Sequence, residues 1–257
     1  MTEPKASNYQ AYTGDESYFD AYNTYQRRHR ANPRESDKVI LGLIRESLEP
    51  AVSAPSILDI GCSTGNLLAL LRRELPQAKL AGCDLSASSV EACRNDPDLA
   101  GIDVEVADAL ALTGPPRHHI AILNAVTCYF EEAEFARLLA NVGALLYDGG
   151  RLIVFDWFHA FAQQQLCILE KSQGHPEGVA YHLRSIAAVK PLLHQAGFDD
   201  GDFRPFELPI DLPFPGTEGE VVSYTQRTDG GGRLCFRGVF FQPWCHLIAR
   251  KTSEPDS

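Results

Sequence analysis

Ile57-Leu58-Asp59-Ile60-Gly61-Cys62-Ser63-Thr64-Gly65-Asn66 is a short apolar run that closes in a turn of small residues. It is followed by NLLALLRREL, whose leucines recur at helical spacing. A strand that turns sharply into a helix is the opening half of a βαβ unit, and Gly61 and Gly65 supply backbone angles closed to other residues. Small residues at such a turn let the backbone approach a ligand, with amides at the helix start available to a polar group. Glycine in a βα turn also serves packing alone, so the pair is weak as a motif by itself.

Outward from this turn the same alternation persists. KLAGCDL precedes SSVEACR, then come VEVADA, IAILNAV, EEAEFARLLANVGALL and GRLIVFDW. Strand and helix in alternation predict a parallel sheet covered by helices. Upstream, Val39, Ile40, Leu43, Ile44 and Leu48 predict a helix over 36–48, with Pro50 beyond its stop. A further helix is expected over 187–196, ended by Gly197. FRPFELPI, VVSYTQR, RLCFRGVFF and WCHLIAR then read as strands joined by turns, with the last two expected to pair as an antiparallel hairpin.

Two acids end the next two strands. Asp84 closes KLAGCDLS, 19 positions beyond Gly65 (84 − 65), where a carboxylate can accept both hydroxyls of a ribose. Asp108 closes VEVADA, where a carboxylate beside a free amide can meet the edge of an adenine. Each has a plainer reading, Asp84 as a helix cap and Asp108 as a solvated loop acid. Ser86 and Ser88 are better caps, and Ser88 with Glu91 has capping-box spacing.

Composition narrows the classes. The 257 residues carry a formal charge of −11, which leaves no broad basic face for a nucleic-acid backbone. The 7 cysteines are scattered, and their spacing supports neither a zinc nor a disulfide framework. The first residues have no signal-peptide pattern and no run approaches a membrane span, so a cytoplasmic, reduced protein without membrane partners is expected.

Asp59-x-Gly61-x-x-x-Gly65, Asp84 and Asp108, each at the end of a successive strand, resemble the cofactor motifs of class I S-adenosylmethionine-dependent methyltransferases over roughly residues 55–250. The resemblance implies a Rossmann-like fold: a seven-stranded, mostly parallel sheet with helices on both faces and an antiparallel C-terminal hairpin strand. It also implies S-adenosyl-L-methionine as cofactor and no metal. Asp59, Gly61, Cys62 and Gly65 would border the methionyl part. Asp84 with Leu85 would hold the ribose, and Asp108 with Ala109 the adenine. Asn124 and Ala125, in Leu123-Asn124-Ala125-Val126-Thr127, would pass beneath the cofactor. One departure is Ser63, where the family usually has glycine; a positive φ there would cost ~1 kcal/mol or more.

Methyl transfer from a sulfonium is an in-line displacement, so the protein must align the acceptor and, where needed, remove a proton. Positions after strands four and five open onto the crevice, which nominates His159 first as a base, then Asp156 and Tyr129. The tyrosine-rich segment 1–54 is expected to form a helical lid over a methyltransferase domain at 55–257. Tyr18, Tyr22 and Tyr25 would line it, and Arg27, Arg28 or Arg30 would meet the cofactor carboxylate. Packing tyrosines and a solvated helix end are the alternatives. The expected partner is a small-molecule acceptor; a homodimer is compatible with the sequence and unsupported by any feature of it. Two other readings stay open. A nicotinamide oxidoreductase would need G-x-G-x-x-G, which the glycine spacing here does not meet, and a non-catalytic cofactor-binding protein would use the same sheet.

Overall fold

The apolar run at Ile57 becomes strand β1 (Ser56–Ile60), and in the computed structural model it lies at the centre of a nine-stranded sheet. The structure describes residues 23–26, 28–171, 178–216 and 221–253. Buried β-formers on both sides of β1 make it a two-faced core strand, as a parallel sheet requires. Helix α1 (Glu35–Ser47) precedes it, and α2 (Asn66–Glu74), β2 (Lys79–Asp84), α3 (Ala87–Arg94), β3 (Asp103–Val106) and β4 (His118–Asn124) follow. Then come α4 (Glu132–Leu145), the long β5 (Leu146–His159), and a hairpin of β6 (Leu166–Glu170) and β7 (Val179–Ser185). The chain ends with α5 (Ile186–Gln195), β8 (Asp202–Pro205), β9 (Ser223–Arg227), β10 (Arg233–Arg237), β11 (Phe240–Phe241) and β12 (Trp244–Arg250).

The main path of the sheet is β3-β2-β1-β4-β5-β12-β8. Strands β1 to β5 run parallel, and β12 is antiparallel to both β5 and β8. The main path is the expected seven-stranded, mostly parallel sheet, with β6 and β7 added beyond the end of β5. The partner of the last strand differs from expectation. WCHLIAR pairs with β8, in FRPFELPI, whereas RLCFRGVFF joins VVSYTQR in a separate three-stranded sheet, β11-β10-β9. The free flank of β12 was already filled by β8, so the hydrogen bonds of β10 had to be satisfied elsewhere.

One face of the sheet packs on α4 and α5 through Phe135, Leu138, Leu139, Val189 and Leu193. The other packs on α1 and α2 through Ile40, Leu43, Ile44, Leu67 and Leu71. Helix α1 therefore covers the sheet itself, although it lies in the segment expected to be a lid. Tyr18, Tyr22 and Arg27 lie outside the described residues. Among the described residues no helix is long and apolar enough to cross a membrane.

Candidate active site

The turn after β1 is held by close packing as well as by its angles. Gly61 (φ +76°) and Gly65 (φ +74°) are both left-handed. A Cβ on Gly61 would meet Val126 Cγ2 at 2.5 Å, and one on Gly65 would meet Leu99 Cδ1 at 2.4 Å. Ser63, the departure from the glycine pattern, takes the strained option with φ +48°. Its amide donates to Asp84 Oδ2 at 2.8 Å, which shows what holds the angle in place. The amides of Gly61 and Cys62 donate to Cys83 O, and that of Gly65 to Cys62 O. Four amides of the loop are thus committed within the protein. The loop before the helix start is therefore a shaped wall and makes a poor nest for phosphate.

Asp84 ends β2 with Oδ1 accepting from the Ser86 amide at 2.9 Å and Oδ2 from Ser63. Burial raises its pKa, opposed by the amides of Ser86, Ser63 and Leu85. Each carboxylate oxygen has a second lone-pair direction, so the bonds already made leave room for ribose hydroxyls. Ser86 is the N-cap of α3, accepting from the Ser89 amide at 3.2 Å. Asp108 accepts from the Leu110 amide at 2.8 Å and opens a short 3-10 turn. After β4, Ala125 is left-handed (φ +57°) and its amide donates to Phe155 O at 2.8 Å, which turns the chain across the ends of the strands.

These pieces meet in a single cleft. Its wall includes Gly61 and Ser63 from the first turn, Asp84 and Leu85 from the second, and Asp108 and Ala109 from the third. Asn124, Ala125, Val126, Tyr129 and Phe130 close it after β4. Asp59, Cys62 and Gly65 do not line it. Asp59 and Cys62 are buried just behind the loop, and Gly65 caps α2. Burial, with Asp37 and Asp84 nearby, pushes Asp59 up to about 8, and its Oδ1 has no hydrogen-bond partner among the described residues. The Cys62 thiol is also pushed well up, first by its hydrogen bond with Cys93 and then by burial.

The N-terminal candidates sit elsewhere. Tyr25 (49% exposed) packs edge-on against His29, and neither it nor the exposed Arg28 lines the cleft. Arg30 ties the segment down by donating to Gly65 O, Thr64 O and Asp96 Oδ2. The arginine that does reach the cleft is Arg34, the N-cap residue of α1, and Asp37 in the first turn of α1 accepts from Asn124 Nδ2 at 3.0 Å. Sequence reasoning missed both. The signal available was their three-residue spacing at a helix start, which puts them on one face of the first turn.

Of the base candidates, Tyr129 lines the cleft and its ring packs 5.5 Å from that of Tyr181. Asp156 does not. Its Oδ2 accepts from Thr127 Oγ1 at 2.7 Å and Cys128 N at 2.9 Å, and its Oδ1 from Trp157 N at 2.8 Å. Buried Arg184 donates to Thr127 O and Phe130 O and lies 4.3 Å over the Phe135 ring. Asp156 and Arg184 therefore grip the turn that carries Tyr129, which corrects Asp156 from a base to an anchor. His159 lies at the end of β5 beside β7, outside the lining of the cleft, with burial lowering its pKa.

The sheet order, its one reversed strand and a cleft over the ends of β1, β2, β3 and β4 define a nucleoside-binding α/β protein. Residues 57–150 match a family model described as a methyltransferase domain. The chain is 27% identical over 128 residues to a fatty-acid O-methyltransferase of Mycolicibacterium smegmatis, covering 47% of each chain. It is 28% identical over 192 residues to a release factor glutamine methyltransferase of Chlorobaculum tepidum, covering 66% of this chain and 63% of that one. The matches thus span about half to two thirds of these curated relatives. The fold resembles that of Burkholderia thailandensis 1,6-didemethyltoxoflavin-N1-methyltransferase with bound S-adenosylhomocysteine (TM-score 0.57, 17% identity, 98% of this chain and 94% of that one). Residues 57–150 thus match a methyltransferase domain, and the fold around them is that of S-adenosylmethionine-dependent methyltransferases.

Proposed function

We propose that this protein transfers the methyl group of S-adenosylmethionine to a small-molecule acceptor. The observation that carries the reading is the meeting of the Gly61–Ser63 wall, Asp84 and Asp108 in one cleft. The residues present fit the cofactor: Asp84 suits the ribose hydroxyls, Asp108 with Ala109 the adenine, and the buried Ser63 Oγ and Asp59 Oδ1, without partners among the described residues, mark unmet polar capacity toward the methionyl end. S-adenosylmethionine supplies the electrophilic methyl. Tyr129 and Phe130 stand where the acceptor would approach, and alignment against them is the main work asked of this chain.

The committed amides of the loop favour a phosphate-free nucleoside over a dinucleotide. The charge of −11 favours a small acceptor over nucleic acid. The relatives' names cover a fatty acid and a release-factor glutamine, so acceptor class is decided by assay. Calorimetry with S-adenosylhomocysteine and with NADH tests the cofactor. Transfer of labelled methyl to panels of metabolites, peptides and RNA tests the acceptor. Binding of NADH alone rejects the reading, and labelling confined to RNA or peptide rejects its acceptor half.

A further inference from the structure

The first turn of α1 stands between two depressions. Arg34 lines the cleft and Asp37 accepts from Asn124 in its wall, while Glu35 and Lys38 line a second hollow that shares no lining residue with the cleft. The hollow holds about 470 Å³, within the range of small-molecule sites, roughly 300–1,000 Å³. It arises because α1 packs over β1, β4 and β5, whereas β12 and β8 extend the sheet beyond them. Val39 and Leu43 of α1 form one wall, Pro205, Phe206 and Pro209 form the other, and His246 of β12 completes the lining.

His246 is 1% exposed, tilted against Phe155 with ring centroids 4.6 Å apart and edge-on to Phe206 at 5.5 Å. Its Nε2 has no hydrogen-bond partner among the described residues. The Ser36 backbone bonds the ring in the sense that favours its protonated form, so a ring N–H donates to the Ser36 carbonyl, and with Nε2 unpartnered that N–H is Nδ1. Burial lowers the ring's pKa to about 4 despite that bond, and Arg204 adds to the effect. At neutral pH the ring is therefore neutral and Nε2 is an acceptor without a donor, a condition that buried polar atoms seldom keep. The charges of the rim are already paired. Lys38 meets Glu35 at 2.5 Å, Arg204 meets Glu46 and Asp202 at 2.7 Å each, and Glu207 Oε1 accepts from the Arg233 amide at 2.9 Å. A charged ligand would lose its hydration here and gain no counter-charge in return.

We infer that this hollow is a second ligand site, for a neutral, largely apolar molecule whose single hydroxyl or N–H group donates to His246 Nε2. The apolar walls from α1 and from the turn after β8 supply the contact area, and the unpartnered nitrogen supplies the selection for a donor. The site stands apart from the S-adenosylmethionine reading, because none of its lining residues belongs to the cleft.

The test is titration of the whole protein at neutral pH with phenol and with toluene, which matches phenol in shape and lacks the donor. Binding is followed by nuclear magnetic resonance at the His246 ring nitrogens and the methyl groups of Val39 and Leu43, with and without S-adenosylhomocysteine. The expected result is saturable binding of phenol about fivefold tighter than toluene, the worth of one net hydrogen bond, with shifts at all three residues and the same affinity when S-adenosylhomocysteine is present. Val39 is 38% exposed on α1, so Val39→Trp should fill the hollow and remove phenol binding while S-adenosylhomocysteine binds as before. No saturable binding of phenol, equal affinity for phenol and toluene, displacement of phenol by S-adenosylhomocysteine, or undiminished binding to Val39→Trp overturns the proposal. Should Val39→Trp fail to fold, the two probes on the unaltered protein still decide.

Discussion

The ends of β1, β2 and β3 and the region beyond the end of β5 are built by different means. In the first, each contributing residue sits within a few positions of its own strand end, and the wall is built around Gly61, Ser63 and the two acids Asp84 and Asp108. In the second, β7 supplies Arg184 to a turn more than fifty positions earlier, and Trp157, Tyr181, Phe240 and Trp244 pack ring to ring from four strands. The first half is local geometry repeated three times. The second is a negotiated core, in which one buried cation and one buried acid hold the turn bearing Tyr129. The contrast teaches that cofactor recognition and acceptor presentation can be perturbed separately.

The largest expected effect lies in the second half. Arg184→Met leaves buried Asp156 without the cation that favours its ionised form and removes a donor from Thr127 O and from Phe130 O, and should cost about 3–5 kcal/mol of stability in denaturant unfolding. A loss below ~1 kcal/mol would show that the grip on the turn is incidental. Next comes Gly65→Ala, which forces a side chain into a left-handed position and against Leu99. It should cost about 2–4 kcal/mol by the same measurement. Asp84→Ala should weaken S-adenosylhomocysteine by about 1–3 kcal/mol in calorimetry, the usual penalty for stranded donors, and unchanged affinity would remove Asp84 from the ribose role.

A smaller effect per pH unit comes from the buried acids. Asp59 is raised to about 8 when folded, against an ordinary carboxylate when unfolded, so the folded state binds the extra proton between those values. Stability should therefore fall as pH rises through that window, by at most ~1.4 kcal/mol per pH unit, and the slope should flatten in Asp59→Asn. Asp156, Asp84 and Asp37 are raised in the same direction by burial, so a residual slope of the same sign is expected in that variant. The smallest effect is that of Arg28→Ala. This residue is exposed and away from the cleft, so both stability and S-adenosylhomocysteine affinity should change by less than ~0.5 kcal/mol.

The legibility of the site follows the same division. Gly61, Asp84 and Asp108 could be read because a strand end, a turn and an acid are neighbours in the chain, and the parallel sheet brings successive strand ends together by rule. Arg34 and Asp37 escaped because helix α1 reaches the cleft only through its packing on the sheet. Asp156 was misread because its position after β5 suits a base, while its orientation toward Thr127 and Cys128 is a tertiary matter.

By itself the sequence determined the alternation of strands and helices, the turn at Gly61–Gly65 and the acids that close β2 and β3. These depend on side-chain periodicity and on backbone angles within a few residues. Only the tertiary structure decided that β12 lies against β8, that a first-turn pair of α1 backs the cleft, and that Asp156 and Arg184 grip the turn of Tyr129. Each of those depends on which hydrogen-bonding edges and buried charges remain unsatisfied once the rest of the chain has packed, a condition that no short stretch of sequence carries.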